Sequence, residues 1–324
     1  MKTGLVLSGG GGKGIYQAGM LKVLYEAGLL DDVCAVSGCS IGTINAVLYA
    51  VGGPALVGEV WQEVDMKAFL DLDTSKLSAG DSHFSRRITV DMIRKYFDES
   101  TFTDDKLIDI YAAMAACPAG TVSTDRITED ELRLLTTASV EETYRDYTIE
   151  YAHINGDTLG DAQAAMLAST AMPVIYAPVN YKGRLYVDGG VKDNVPVKPL
   201  YDMGIRRFIV IELKPVSTIR GTFPDAEIID ILPSHDLGSL ISGTMNFTTD
   251  YKFMAYNLAL RDGRRYIKTL FEKDPDAISM EKTLAESDYN AVLRETEVQK
   301  KYRSLQTSVD RNMDTINSII KKYE

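Results

Sequence analysis

Apolar residues in the first fifty positions fall into two kinds of run that alternate. Leu5-Val6-Leu7 is short, continuous and followed by glycines, the pattern of a buried strand ending in a tight loop. From Ile15 to Ala27 the apolar positions Ala18, Leu21, Val23, Leu24 and Ala27 return near helical spacing, with Gly28 placed as a carboxyl-terminal cap. Val33-Cys34-Ala35-Val36 repeats the strand pattern, and Ile41 to Val51 the helical one, stopped by Gly52-Gly53-Pro54. Strand, helix, strand, helix at this pace predicts βαβ units and a parallel sheet.

The stretch from about Glu59 to Ala116 is more polar and reads as mostly helical. A helix is predicted over Leu107–Ala116, introduced by Thr103 and the aspartates Asp104 and Asp105. Ser75 to Ser85 reads as a mobile loop, and Thr128-Glu129-Asp130-Glu131 as a capping box before Leu132, Leu134 and Leu135. Strands are predicted at Thr148–Ile154, Val174–Val179, Leu185–Val187 and Arg207–Leu213. An alanine-rich helix, Ala162–Ser169, stops before Pro173. Beyond Pro215 the character changes. Val298, Tyr302, Leu305, Val309, Met313, Ile316, Ile320 and Tyr323 recur at spacings of three and four, one apolar stripe on a long helix. Such a stripe packs on its own domain or pairs two copies as a homodimer; a membrane-surface helix ranks behind both.

The expected fold is therefore α/β: a three-layer α/β/α sandwich with a central, largely parallel sheet and a helical carboxyl-terminal extension. The expected division is a first domain over residues 1–215, with a helical insertion near 59–145, and a mainly helical extension over 216–324. The 324 residues, 45% of them hydrophobic, suffice for a large core. A net charge of −11 argues against nucleic acid as a partner and gives no general attraction to anionic membranes, so lipid contact would rest on apolar surface. Three cysteines, Cys34, Cys39 and Cys117, are too few and scattered for a disulfide framework or a zinc site. The amino terminus lacks a signal peptide's apolar stretch, and no apolar run has the length of a membrane span. The expectation is a soluble, cytoplasmic protein, with export by a signal-independent route left open.

Chemistry concentrates in three places. Gly38-Cys39-Ser40-Ile41-Gly42 is a G-x-S-x-G pentapeptide between a predicted strand and a predicted helix. A serine at that turn holds strained backbone geometry, the flanking glycines avoid clashes, and the helix start beneath it favours developing negative charge. The same letters also suit a serine that simply caps a helix. Gly9-Gly10-Gly11-Gly12-Lys13-Gly14 follows the first strand, and its successive amides can converge on an anion or oxyanion. The run also satisfies G-x-G-x-x-G, but a dinucleotide site needs an acidic residue at the end of the second strand, where Ser37 and the pentapeptide stand. Lys13 is followed by Gly14, which excludes a Walker loop.

A serine nucleophile needs a base. His83, His153 and His235 are the only histidines, and none has a context that points at Ser40. Asp188, in Tyr186-Val187-Asp188-Gly189-Gly190-Val191, ends a predicted strand before glycines that let the chain turn and present the carboxylate. It would have to be partly desolvated and within reach of Ser40 to act as a base; alternatively, Asp-Gly-Gly is an ordinary turn. Cys39 reads as a small buried residue facing away from Ser40.

The order of these motifs resembles the patatin-like phospholipase family over about Lys2 to Lys214. Ala168-Ser169-Thr170-Ala171-Met172-Pro173 before the aspartate and Asn194-Val195-Pro196-Val197 after it add to the likeness. The resemblance implies Ser40 as nucleophile, Asp188 as dyad partner without a histidine, and Gly10, Gly11 and Gly12 as the oxyanion hole. Gly9, Gly14, Gly38, Gly42, Gly189 and Gly190 would support these motifs. Lys13 stands where many members carry arginine, keeping the charge and losing the planar fork. The implied activity is hydrolysis of lipid or acyl-ester substrates, as in a phospholipase A or lysophospholipase, with no metal or organic cofactor and with transient contact to membrane surfaces. The alternatives are a catalytically silent lipid-binding or scaffold protein and a nucleotide-binding protein using the Gly9–Gly14 loop.

Overall fold

The computed structural model describes residues 2–63, 87–121, 139–173 and 175–323. In chain order the elements are β1 (Thr3–Leu7), α1 (Ile15–Glu26), β2 (Val33–Cys39), α2 (Ile41–Glu63), α3 (Arg87–Tyr96), β3 (Asp109–Ala116), α4 (Val140–Thr143) and β4 (Thr148–His153). There follow α5 (Leu159–Ser169), β5 (Val179–Tyr181), β6 (Arg184–Asp188), α6 (Lys198–Asp202), β7 (Arg207–Ile211), β8 (Glu227–Ile231), α7 (Thr249–Tyr266) and α8 (Pro275–Tyr323).

The strands form one mixed sheet in the order β5-β6-β3-β2-β1-β7-β8, with β4 also paired to β3. β3, β2, β1, β7 and β8 run parallel. Successive side chains of a strand face opposite sides, and the core divides accordingly. Leu5, Leu7, Ile209 and Ile211 enter a large cluster with α1, α2, α5 and α7, whereas Val6, Phe208 and Val210 enter a smaller one with Val195, Val197 and Leu200. The three layers are therefore unequal. Long helices cover one face, and the short α6 with its flanking loops covers the other.

Two predicted elements differ. Leu107–Ala116 is not a helix: Asp109–Ala116 is the strand β3, paired with β2 on one edge and β4 on the other. Alanine favours helix locally, but hydrogen bonds on both edges and complete burial of Ala112, Ala113, Ala115 and Ala116 outweigh that preference. The Asp104 carboxylate closes a turn by accepting the Lys106 amide at 2.9 Å instead of opening a helix. The run read as helical insertion thus contains a core strand. In the predicted strand Val174–Val179, the Ile175 and Tyr176 amides bond back to the Met172 carbonyl as a turn, and pairing begins only at Val179. The Ser75–Ser85 loop and the Thr128–Leu135 capping box lie outside the described residues.

α2 leaves helical geometry at Gly52 and Gly53 and resumes at Pro54. By length and composition it is apolar enough to cross a bilayer, alone among the described helices. Here that apolar surface is core, with Ile44, Val47, Leu48, Val57 and Trp61 buried.

The chain after Pro215 is mainly helical and also completes the body, since β8 extends the sheet beyond β7. α7 crosses α1 closely at two glycines: a methyl group on Gly19 would lie 2.8 Å from Ala259 Cβ, and one on Gly263 3.0 Å from Val23 Cβ. Beside that crossing, Asp262 accepts hydrogen bonds from the Tyr16 hydroxyl at 2.8 Å, the Ser234 amide at 3.0 Å and Arg265 at 2.6 Å. Burial, then the Asp262 charge, pushes the Tyr16 phenol well above its ordinary value. Arg265 continues to Asp288 of α8, so one buried network joins α1, α7 and α8. Among the described side chains of α8, Val292 is the last fully buried apolar one, and Val298, Tyr302 and Leu305 face solvent; those of Val309, Met313, Ile316, Ile320 and Tyr323 lie outside the described residues.

Candidate active site

β3 brings Ser40 and Asp188 together by an end-to-end arrangement. β2 pairs with β3 as far as Cys39 opposite Ala113, and β6 pairs with it antiparallel from Asp188 opposite Met114. β4 runs along β3 from Tyr111 to Ala116, past both stretches. A strand has only two edges, so β2 and β6 share the other one and meet head to head there. Their carboxyl ends thus converge from opposite directions on consecutive residues of β3. The contact is direct: Cys39 Sγ lies 3.7 Å from Asp188 Oδ1.

Ser40 occupies the turn between β2 and α2 with φ +55, a left-handed conformation rare for a residue with a side chain. The glycines of the pentapeptide permit it by close approach. A methyl group on Gly38 would lie 2.4 Å from the Gly42 carbonyl. α2 starts at the next residue, Ile41, so the amino end of a helix lies at the serine.

Asp188 is 5% exposed. Its Oδ1 accepts the Gly190 amide at 2.8 Å, which shapes the turn Gly189–Val191, and also faces the Cys39 thiol. A methyl group on Gly189 would lie 2.5 Å from the Ala113 carbonyl, so this glycine lets β6 end against β3. Cys39 is fully buried, as read from the sequence, and also touches the carboxylate. Burial first, and then the Asp188 charge, raises its thiol well above the ordinary value, which keeps it protonated and a poor nucleophile.

The glycine loop forms the adjoining wall. Gly11 takes φ +56 and begins a helical turn, Gly11–Gly14, whose first amides lack an intrahelical acceptor. Asn194 holds the loop from below: its carbonyl accepts the Gly9 amide at 3.2 Å and its Nδ2 donates to the Gly9 carbonyl at 3.3 Å. Gly9, Gly10, Gly11 and Lys13 face the site, whereas Gly12 is buried beneath the Asn246 and Gly243 carbonyls. Methyl groups on Gly11 and Gly12 would lie 2.2 Å from the carbonyl oxygens of Thr244 and Asn246 respectively. Burial lowers the Lys13 ammonium from its ordinary value, Asp236 opposes that, and nearby Lys214 adds to it.

Ser40, Asp188 and the loop border one cavity of about 490 Å³, which Lys13 and Lys214 also line. Its remaining walls are largely apolar, among them Ile44, Leu48, Trp61, Met92, Tyr176 and Phe247. Leu240, Thr244, Met245 and Phe247 come from beyond Pro215. That contribution was not legible in advance, because no local pattern marks a turn that closes on a loop more than two hundred residues away. His153 lies at the amino end of β3, bonded to Asp109 at 2.8 Å and stacked on Tyr111. His235 bonds to Glu286 at 3.0 Å and stacks on Tyr289. Neither borders the cavity, and His83 lies outside the described residues.

Fold and site define an α/β protein with a serine at a strand-to-helix elbow and a buried carboxylate beside a glycine loop, all opening on an apolar cavity. The family model "Patatin-like phospholipase" matches residues 5–201, and the chain belongs to that family. It is 29% identical over 255 residues to "Lysophospholipase NTE1" of Cryptococcus neoformans var. neoformans serotype D, covering 75% of this chain and 12% of that protein. It is 28% identical over 220 residues to "Neuropathy target esterase sws" of Drosophila melanogaster, covering 65% of this chain and 13% of that protein. The chain thus spans a small part of these relatives. Among solved structures, VipD from Legionella pneumophila aligns at a TM-score of 0.44 and 16% identity, over 83% of this chain and 67% of that one.

Proposed function

We propose that the chain is a serine acyl hydrolase that cleaves carboxylic esters of lipids, with Ser40 as nucleophile and Asp188 as its base. The observation that supports this most is the head-to-head meeting of β2 and β6 on β3, which leaves both residues bordering one apolar cavity. Ser40 Oγ attacks the ester carbonyl carbon while the Asp188 carboxylate takes the hydroxyl proton. Amides of Gly10 and Gly11, with the amino end of α2, stabilise the oxyanion. On collapse the ester C–O bond breaks, and Asp188 returns the proton to the departing alcohol oxygen, leaving acyl-Ser40. Water then gives a proton to Asp188 and attacks the acyl carbon. Ser40 leaves, recovers that proton, and a fatty acid is released.

The apolar walls suit an acyl chain, and Lys13 with Lys214 offers positive charge for a phosphate on the alcohol side. Phospholipids and lysophospholipids therefore fit better than neutral glycerides. Leu240 and Val140 both line the cavity and are more than half and half exposed respectively, and Ile241 beside Leu240 is 81% exposed. This apolar rim supports contact with a lipid surface despite the net negative charge.

The test is hydrolysis of a panel of phospholipid, lysophospholipid, glyceride and acyl-thioester, together with fluorophosphonate labelling. Ser40→Ala and Asp188→Asn are each expected to lower turnover on the order of 10³-fold or more, and Ser40→Ala to abolish labelling. Undiminished hydrolysis in either variant refutes the reading.

A further inference from the structure

We propose that the segment Ala168–Pro173 holds the two halves of the site in register, with Ser169 as the positioning residue for Ser40. The proposal rests on the dyad reading above and adds a role for a motif which that chemistry leaves unused.

Ser169 is fully buried at the end of α5. Its Oγ lies 3.1 Å from the Ser40 amide nitrogen, 2.6 Å from the Ala113 carbonyl and 2.7 Å from Thr43 Oγ1. A hydroxyl has one proton and two acceptor sites. The Ala113 carbonyl can only accept, and the Ser40 amide can only donate. The Ser169 proton therefore goes to Ala113, the Ser40 N–H binds one lone pair, and Thr43 donates to the other. Every capacity of the hydroxyl is used, which leaves it no freedom to rotate.

Two residues further on, the Ala171 carbonyl accepts the Asp188 amide at 2.9 Å. Ala113, which takes the Ser169 proton, is also the residue against which Gly189 packs. One short segment thus makes a hydrogen bond to the backbone of each proposed dyad member and ties both to β3. The Ser40 end is the demanding one. Its amide belongs to a residue held at φ +55, and in this partly buried bond the Ser169 hydroxyl is the acceptor that amide would lose. Relaxation out of the left-handed region would swing Oγ away from its line of attack.

The test compares Ser169→Ala with Thr43→Val. The first deletes the hydroxyl and strips the Ser40 amide of its acceptor, whereas the second removes only the Thr43 bond to it. Thermal denaturation sets a temperature at which both are folded. There, Ser169→Ala is expected to slow fluorophosphonate labelling and kcat on a soluble short-chain ester by roughly 10- to 100-fold, with KM nearly unchanged. Thr43→Val should label at nearly the wild-type rate. Wild-type labelling in Ser169→Ala, or equal slowing in Thr43→Val, overturns the proposal. If Ser169→Ala does not fold, Ser169→Cys keeps the shape with weaker hydrogen bonds; slowed labelling supports the proposal and a wild-type rate overturns it. Ser40→Ala separates the two readings. Loss of labelling and hydrolysis there keeps Ser40 as the nucleophile whatever Ser169 does, whereas full hydrolysis removes the dyad and this proposal with it.

Discussion

The α-carbon of Gly42 lies against the end of β1, so close that a methyl group on it would stand 2.1 Å from the Leu7 carbonyl oxygen. Both partners are backbone, so neither can turn aside. Gly42→Ala should therefore cost about 3 kcal/mol and shift the α2 start away from β1. The expected outcome is a Tm several degrees lower with a marked loss of Ser40 labelling. An unchanged melting temperature would show that the elbow is looser than this packing implies.

The apolar rim predicts a difference between aggregated and dissolved substrates. Ile241 is exposed and does not border the cavity, unlike its neighbour Leu240. Ile241→Glu should weaken hydrolysis of phospholipid vesicles by about tenfold, the scale of burying one large apolar side chain, and leave a soluble short-chain ester unaffected. Parallel losses on both substrates would count against a lipid-surface contact.

Lys13 packs its stem near Gly243 and presents its charge to the cavity. Lys13→Met keeps the stem and removes the charge. For a phosphate-bearing substrate KM should rise roughly 10-fold or more, the scale of a lost hydrogen bond to a charged group, and more steeply at low salt. For a neutral ester KM should hold. Equal effects on both esters would remove the phosphate contact.

Glu212 and Asp230 form an acidic pair at the β7–β8 side of the sheet. Burial raises both carboxyls above their ordinary values, the Asp230 charge adds to the rise at Glu212, and Thr218 opposes it with hydrogen bonds. A raised carboxyl binds protons more readily in the folded chain than in the unfolded one. Its contribution to stability is therefore fullest at acid pH and is lost as pH rises through the folded value. Asp230→Asn removes that loss. Its Tm minus the wild-type Tm should increase from about pH 4 to neutrality, as followed by thermal melts across that range. A difference that does not change with pH would contradict the assignment.

Much of this site could be read from local pattern. The Gly9–Gly14 loop, the pentapeptide around Ser40 and the Asp188-Gly189-Gly190 turn each need a particular backbone conformation or close approach, and only certain residues meet it. Such requirements leave letters at fixed spacing. β1, α1, β2 and the first part of α2 were legible for a related reason, since their burial is regular enough to impose a period on the sequence.

β3 was not legible, and the geometry of the site depends on it. Asp109–Ala116 carries alanines that favour helix, and it becomes a strand because three neighbours supply its hydrogen bonds. The cavity walls drawn from Leu240 to Phe247 were hidden for the same kind of reason, as were the bonds from Ser169 and Ala171. Sequence by itself determined which residues could do chemistry and in which turns they stand. Tertiary structure decided that β2 and β6 end against each other on one edge of β3. Register between distant strands is settled by long-range pairing and packing, to which no single stretch of chain holds the key.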